Sequence, residues 1–353
     1  MKKLIFAALA IAAMAACTKS NVQLEQPGEI AFQPVAQKAT KAAVVGTTYL
    51  TDAAYNFNVW AWWGDKEAGT LDSQIAAFNT VYINNQTFKH KEDNNWGGIT
   101  PYYWPTTGSL YFAGYSPASI QENGGCDVRY DKNAKTFSAT GYQQTTDISK
   151  TIDFMWFHLT DQSYDRTANS VPVQFHHALS WLSFRFNLEN STTPQLWKVK
   201  SVTLRNVETK ANFTATKTDD ANKLGTAYWT NHSETANITV FEANDEVEKY
   251  LVKHVTDPYT VGLSDGSILE STPNGVLVIP QRCDMTRAQL VIEFEQKAPT
   301  NDWVPQTKFL SLGDDWLPSE HYIYTITFGA EEILIAPTVV DWTVGDNLSV
   351  PVE

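Results

Sequence analysis

Apolar and polar residues alternate with a period of two in short stretches throughout this chain. The alternation is clearest in residues 55–62, 109–112, 182–188, 202–205, 290–295 and 322–328. In an extended strand, this period places the apolar side chains on one face of a sheet. Gly, Pro, Asn and Asp residues separate the stretches, and helical patterning is confined to residues 71–78 and 284–288. The pattern therefore predicts an all-β fold built from β-sandwiches.

A polar segment, residues 161–169, interrupts the strand pattern, which resumes at Val171-Pro172-Val173. With 353 residues, the chain is also long for one domain. We therefore predict two sandwich domains in tandem, residues 42–170 and 171–332, followed by a final strand segment, residues 333–353.

The phase of the apolar residues shifts by one position between His176 and Leu182, which predicts a β-bulge there. His176 and His177 are adjacent, so on a strand their imidazoles point to opposite faces and do not share one metal ion. We therefore predict a structural role for both histidines.

The N-terminus has the pattern of a secretory signal peptide over residues 1–16. Lys2 and Lys3 precede a short apolar segment, residues 4–13, that is too short to cross a bilayer. The sequence Ala15-Ala16-Cys17 resembles a bacterial lipobox, which implies cleavage before Cys17 and lipidation of that residue. Ordinary signal cleavage near Ala16, with Cys17 incidental, is the alternative interpretation.

Composition excludes several classes of partner and site. The formal net charge is −13, and removal of the two N-terminal lysines makes it −15, which disfavours binding to nucleic acid. Cys126 and Cys283 either form a disulfide, which an exported protein permits, or remain two separate buried thiols. No Cys/His cluster has the spacing of a zinc site.

No sequence motif indicates catalysis, and we predict neither enzymatic activity nor a cofactor. The chain lacks G-x-S-x-G, H-E-x-x-H and a phosphate-binding glycine loop, although a pair of glycosidase carboxylates needs no motif. Aromatic residues crowd the first half of the chain. They either fill the core or present an exposed surface that stacks on sugars, for which Trp60 and Trp62 are the best candidates.

Several short motifs, in order along nearly the whole chain, resemble the fimbrillin family of Bacteroidetes, which comprises lipoprotein-derived pilins and their Mfa-like relatives. They are the lipobox, Ile30-Ala31-Phe32 followed by Lys38-Ala39-Thr40-Lys41-Ala42, Phe57-Asn58-Val59-Trp60-Ala61, Tyr103-Trp104-Pro105 with residues 110–117, Phe175-His176-His177-Ala178-Leu179-Ser180, Tyr322-Ile323-Tyr324-Thr325-Ile326, and Val340-Asp341-Trp342.

The resemblance implies two transthyretin-like β-sandwich domains and delivery to the outer membrane as a lipoprotein. It further implies that a protease removes a propeptide, residues 17–41, which contains the first strand, residues 29–35. Before cleavage, Ile30 and Phe32 of this segment fill a groove in the first domain. A strand from a neighbouring subunit then occupies the groove. The donor would be the C-terminal segment, and its apolar residues are Ile333, Ile335, Val339, Trp342 and Val344. The alternative is that this segment is simply the last strand of its own domain.

The expected cleavage site departs from the family pattern. Some members are cut after an arginine, whereas the first arginine here is Arg129, inside the first predicted domain. Cleavage would have to follow Lys41 or Lys38, or the protein stays anchored to the membrane.

The resemblance therefore favours a structural subunit or tip adhesin of a fimbria at the cell surface, with other fimbrial subunits as partners. The alternative is an anchored lipoprotein that binds a surface receptor or glycan without polymerising.

Overall fold

The computed structural model describes residues 28–34, 56–65, 75–91, 95–123, 125–151, 153–164, 170–189, 195–216, 226–243, 252, 275–284, 286–313, 315–329 and 332–341. Five predicted site residues lie outside the described residues, namely Cys17, Lys38, Lys41, Trp342 and Val344. Within the described ranges, no helix has the length and apolar character needed to cross a membrane.

The described chain is built almost entirely of β-strands, which confirms the predicted fold class. The eighteen strands are β1 (Ala31–Pro34), β2 (Phe57–Gly64), β3 (Thr80–His90), β4 (Trp96–Gly98), β5 (Ser109–Ser116), β6 (Asp127–Asp131), β7 (Thr136–Gln143), β8 (Met155–Gln162), β9 (Val171–Val173), β10 (His176–His177), β11 (Ser180–Leu188), β12 (Leu196–Thr216), β13 (Thr226–Glu242), β14 (Val276–Val278), β15 (Gln289–Lys297), β16 (Val304–Ser311), β17 (Glu320–Phe328) and β18 (Ile333–Asp341). Helix in the described residues is confined to a turn at 75–77, α1 (Ile120–Asn123) and a 3₁₀ turn (Ile148–Lys150). Each of the six alternating stretches lies largely within a strand.

The strands form three sheets. The first has the order β10-β8-β5-β2-β3-β4-β1-β9, the second β16-β15-β12-β7-β6 with β13 also paired to β12, and the third β14-β11-β17-β18. In the third sheet, β11 and β17 run parallel, from Trp181 opposite His321 to Leu188 opposite Phe328.

Strand β12 connects the two halves of the chain. Its first part, Leu196 to Arg205, pairs with β15, and its last part, Lys210 to Thr216, pairs with β7. The second sheet is therefore continuous from strands early in the chain to strands late in it. The two-domain division near residue 170 remains a prediction. Strands β9 and β10, which follow that position, pair with strands of the first sheet, and β11 is the first strand in the chain that belongs to the third sheet.

The phase shift between His176 and Leu182 marks a change of sheet. His176 and His177 pair with Trp156 and Met155 in the first sheet, whereas Ser180 already pairs with Val278 in the third. The expectation of a bulge within one strand was wrong, because the chain passes from one sheet to another over two intervening residues.

Three apolar clusters make up the core. One lies between the second and third sheets, one between the first and second sheets, and one beneath the other face of the first sheet, where β1 lies. Cys126 and Cys283 are buried and separate, so the structure supports two free thiols rather than a disulfide. Burial raises the pKa of the Cys126 thiol to about 11.

Trp60 and Trp62 were the best candidates for an exposed aromatic surface, but the structure supports the alternative, in which they fill the core. Each is only 8% exposed. The ring of Trp60 lies 5.4 Å from that of Tyr115, and the ring of Trp62 lies 5.7 Å from that of Tyr130. Trp60 and Trp62 lie on the face of β2 opposite Phe57, as alternation predicts. Both faces are nevertheless covered: the second sheet packs on the tryptophan face, and the apolar cluster that includes Phe32 of β1 packs on the other. Large aromatic side chains fill such space between sheets.

His321, at the start of β17, is buried in a way that makes stability depend on pH. Its ring stacks on Trp181 with 3.4 Å between centroids, and its Nε2 lies 2.9 Å from the Ser183 hydroxyl. Burial, reinforced by the positive charge of Arg185, lowers the pKa of His321 to about 3. The unfolded chain binds this proton near pH 6.5, whereas the folded chain does not until about pH 3.

We therefore expect His321 to reduce the free energy of unfolding as the pH falls from about 6.5 towards 3, by about 1.4 kcal/mol per pH unit. Urea unfolding at pH 7, 6, 5 and 4 measures this slope, and His321→Gln should unfold with a shallower one. Equal slopes in the two proteins would contradict the assignment.

Candidate functional site

The short strand β1 lies in a slot between two other strands. It pairs antiparallel with β4, Phe32 opposite Trp96, and parallel with β9, Phe32 opposite Val171. Strand β9 pairs with no other strand in the described part of the chain. Removing β1 would therefore leave two unpaired strand edges facing each other.

The side chains of β1 alternate between core and surface. Ile30, directly before the strand, and Phe32 have no exposed surface, whereas Gln33 is exposed. The burial of Ile30 and Phe32 agrees with the inward-facing positions that the family resemblance implies for them.

Phe32 lies at the centre of a group of phenylalanines. Its ring centroid is 5.1 Å from those of Phe88 and Phe112, 5.7 Å from that of Phe57 and 6.1 Å from that of Phe157. The first three contacts are edge-to-face. Burying a phenylalanine contributes about 1.5–3 kcal/mol, and a favourable aromatic pair adds about 0.5–1.5 kcal/mol. Phe32 is therefore the main apolar contact of a strand of only four residues.

Polar contacts hold the residues just before β1. The backbone N–H of Ile30 donates to the carbonyl of Tyr102 at 2.7 Å, and the N–H of Trp104 donates to the carbonyl of Gly28 at 3.1 Å. The Lys91 ammonium pairs with the Glu29 carboxylate. Both side chains of this ion pair are about one-third exposed, so it contributes at most about 1 kcal/mol.

Gly97 of β4 leaves the space through which Lys91 reaches Glu29. A Cβ at position 97 would lie 2.1 Å from the Lys91 Cε and 2.3 Å from its Nζ. Any larger residue at this position would have to displace the lysine side chain. The short β4 thus supports β1 both through its backbone and through the room it leaves for the ion pair.

The C-terminal strand β18 lies at the edge of the third sheet and pairs there with β17. Ile333 and Ile335 pack partly buried against the core. Leu334 and Val339 are 50% and 44% exposed. The described part of the predicted donor segment is thus the last strand of its own sheet, as the alternative interpretation has it. Its other edge pairs with no strand of the described chain, and each of its faces carries one exposed apolar side chain.

The role of β9 was missed at the sequence level. Val171 and Val173 are buried in the same cluster as Phe32. Their alternation around Pro172 was a usable signal, but it was interpreted as the first strand of a second domain. A parallel pair between β1 and β9 joins residues more than a hundred positions apart, which strand periodicity alone does not predict.

The two adjacent histidines face opposite sides, as predicted. His177 is buried, with its Nδ1 2.5 Å from the Asp153 carboxylate, while the ring of His176 lies 5.2 Å from that of Trp156. In the described ranges, no group of three or more His, Cys, Asp or Glu side chains is arranged to hold a metal ion.

Comparisons with known proteins agree with this architecture. The fimbrillin-like family model matches residues 40–342. A fimbrial protein of Bacteroides vulgatus has a similar crystal structure, with 15% identity and a TM-score of 0.56 over 89% of this chain and 99% of that one. A candidate cell adhesion protein of Bacteroides uniformis matches the same shares of the two chains, with 14% identity and a TM-score of 0.47. At 15% identity, the similarity to the Bacteroides vulgatus protein shows that the two chains share a fold. No curated protein matches the chain.

Proposed function

Because this chain belongs to the fimbrillin-like family, we propose that it is a structural subunit or tip adhesin of a fimbria, assembled by strand exchange. Lipid on Cys17 anchors the precursor to the outer membrane. Cleavage after Lys41 or Lys38 then separates β1 from the rest of the protein. The C-terminal segment of a neighbouring subunit takes the place of β1.

The slot that holds β1 is the observation that carries this proposal. β1 contributes a whole strand to the sheet and one large side chain to the core, although it precedes the segment that the family model matches. Without β1, the edges of β4 and β9 and the rings around Phe32 would face water. Such an exposed edge and apolar floor favour the addition of a strand from another chain.

The proposed donor has the properties that this slot requires. Ile333, Ile335 and Val339 are separated by even numbers of residues, so they share one face of β18. Ile30 and Phe32 are likewise two residues apart, at the start of β1. Strand β18 has one strand partner in the described chain, and part of its apolar surface is exposed. Trp342 and Val344 extend the apolar pattern of the segment in sequence.

Partners and location follow from the same proposal. Other fimbrial subunits bind through the exchanged strand, the lipid on Cys17 binds the outer membrane, and a host or bacterial receptor binds the finished fibre at the cell surface. The related Bacteroides vulgatus structure is described as a fimbrial protein, which supports this setting. The proposal includes no catalytic step.

Controlled cleavage of the purified precursor tests the proposal. We expect a lysine-specific protease at low dose to produce an N-terminus at Ala42 or Ala39. The cut protein should then form oligomers that survive detergent without heating, because the released slot accepts a neighbour's strand. Size-exclusion chromatography and unheated gels measure this, with N-terminal sequencing to locate the cut.

The matched control is the double variant Lys38→Gln, Lys41→Gln, which keeps β1 and should remain uncut and monomeric. A wild-type chain that is cut, loses β1 and stays monomeric at high concentration would overturn the strand-exchange proposal. The N-terminus of the protein taken from cells adds a direct check, since lipidated Cys17 indicates the anchored form and Ala42 the processed one.

The alternative function, a non-polymerising glycan-binding lipoprotein, was based on Trp60 and Trp62. Both are buried, so that surface no longer supports it. If the precursor is never cleaved, glycan binding would have to reside elsewhere on the molecule.

A further inference from the structure

An open cleft of about 300 Å³ lies where four segments of the chain meet. Its walls come from Glu208 of β12, the residues 227–232 of β13, the segment 280–287 before β15, and the segment 315–318 before β17. The cleft is separate from the slot of β1, since none of its lining residues contacts that strand through a hydrogen bond or strand pairing. Its volume is at the small end of the range for ligand sites, which suits one or two sugar rings.

The floor of the cleft is fixed by hydrogen bonds. Trp229 donates its indole N–H to the carbonyl of Ala178 at 2.6 Å, and Trp316 donates its own to the Tyr324 hydroxyl at 2.8 Å. Both tryptophans are buried. A floor held in this way does not have to be ordered when a ligand binds, which favours affinity.

Gln281 joins two walls of the cleft. Its amide oxygen accepts from the backbone N–H of Glu208 at 2.8 Å, and its amide nitrogen donates to the carbonyl of the same residue at 3.2 Å. Gln281 is itself buried. These two bonds fix the backbone of Glu208 relative to Gln281, the residue before Arg282.

Two arginines and two carboxylates line the cleft, so its lining carries no net formal charge. Arg282 and Arg287 both line it, although the chain has only six arginines and a net charge of −13. Arg282 is exposed, and its charge acts together with that of Arg287 on the neighbouring Asp284 carboxylate. Arg287 lies 3.4 Å from the Asp284 carboxylate, which is longer than a good charged hydrogen bond. Two guanidinium groups with free donors are suited to bind a carboxylate.

Hydrogen-bond acceptors lie on the other side of the cleft. The Glu208 carboxylate is 2.9 Å from His232 Nδ1, and both side chains are about one-fifth exposed. Asp315 also lines the cleft and accepts the backbone N–H of Cys283 at 3.1 Å. Partly accessible carboxylates such as these accept hydrogen bonds from hydroxyl groups.

An apolar surface forms the rim. Tyr228 is 44% exposed and Leu317 is 55% exposed, and both line the cleft. A pyranose ring has an apolar C–H face and a polar edge of hydroxyl groups, so it packs on an aromatic ring while its hydroxyls bond to side chains. Guanidinium groups, carboxylates and an exposed tyrosine together match a sugar that carries its own carboxylate.

We propose that this cleft binds a carboxylate-bearing sugar of the uronic or sialic acid class within a glycan. Arg282 and Arg287 hold the carboxylate, Glu208 and Asp315 accept hydroxyl hydrogen bonds, and Tyr228 packs on the ring. The inference goes beyond assembly into a fibre, because the uncut monomer already contains the whole cleft. Failure of sugar binding therefore leaves strand exchange untouched, and the reverse also holds.

Binding of three probes to the uncut full chain tests the proposal. 3′-Sialyllactose, a disaccharide ending in glucuronic acid and neutral lactose are compared by isothermal titration calorimetry and ligand-observed NMR. We expect at least one acidic sugar to bind about tenfold or more tightly than lactose, since a hydrogen bond to a charged group is worth at least that factor. The two acidic probes separate sialic from uronic recognition.

Three variants locate the binding. Arg282→Gln and Tyr228→Ala should each weaken binding of the acidic sugar about tenfold, as expected for loss of a charged hydrogen bond or an aromatic contact. Arg205→Gln is the matched control, because Arg205 is an exposed arginine of β12 that lies over Phe309 and outside the cleft. It should bind like the wild type, and all three variants should keep the wild-type unfolding temperature.

Three results would overturn the proposal. They are the absence of binding by both acidic sugars, equal binding of lactose, and equal loss of binding in Arg205→Gln and Arg282→Gln.

Discussion

Replacing Phe32 with alanine is expected to lower the free energy of unfolding by about 3–5 kcal/mol. Phe32 is fully buried and lies within 5.1–6.1 Å of four other phenylalanine rings, so its removal leaves a cavity in the slot of β1. The strand should also leave the slot more readily, because its main apolar contact is gone. Urea unfolding followed by tryptophan fluorescence measures the change.

Gln33→Ala is the matched control on the same strand. Gln33 is exposed, and its side chain contacts Ser170 only at 3.5 Å. Its replacement should change stability by less than about 0.5 kcal/mol, as is usual for surface positions. If both variants are equally stable, Phe32 does not anchor β1, and the proposed slot is not the site of exchange. In the cleavage experiment, Phe32→Ala should reach the oligomeric state sooner than the wild type.

Replacing Phe213 with alanine is the second large expected effect, again about 3–5 kcal/mol. Phe213 lies in the last part of β12 and is fully buried. Its ring is 5.1 Å from Trp229, 5.5 Å from Phe154 and 6.1 Å from Phe137. The apolar cluster around Phe213 contains residues from Trp60 to Ile279. Loss of the Phe213 ring should therefore destabilise the strands on both sides of β12.

Thr214→Ala is the control, since Thr214 is the next residue of β12 and points to the other, partly exposed face. Its effect should stay below about 1 kcal/mol, the usual scale for partly exposed substitutions. Hydrogen exchange measured by mass spectrometry shows where the destabilisation occurs. We expect faster exchange in β7 and β15 together in Phe213→Ala. Faster exchange confined to one of them would show that the continuous sheet does not couple the two halves.

Strand β12, which carries Phe213, shows why the neighbours of a strand cannot be read from the sequence. β12 is one uninterrupted strand whose two ends pair with β15 and β7. Alternation identifies such a strand and its buried face. It carries no information on which strands lie beside it, because backbone hydrogen bonds are the same for every partner.

The sequence by itself determined the local features of this protein. Alternation located β11 and β17 and placed His176 and His177 on opposite faces. Each follows from the two-residue period of a strand, which is a property of neighbouring residues alone.

Only the tertiary structure decided which of those faces are covered and which segments meet. Trp60 and Trp62 lie on one face of β2, and that face is buried because a second sheet packs on it. β9 forms one side of the slot through its pairing with β1. Arg282 and Glu208 line the same cleft because segments far apart in sequence pack together. Burial and proximity of this kind are set by contacts between residues far apart in sequence, and periodicity along the chain does not encode them.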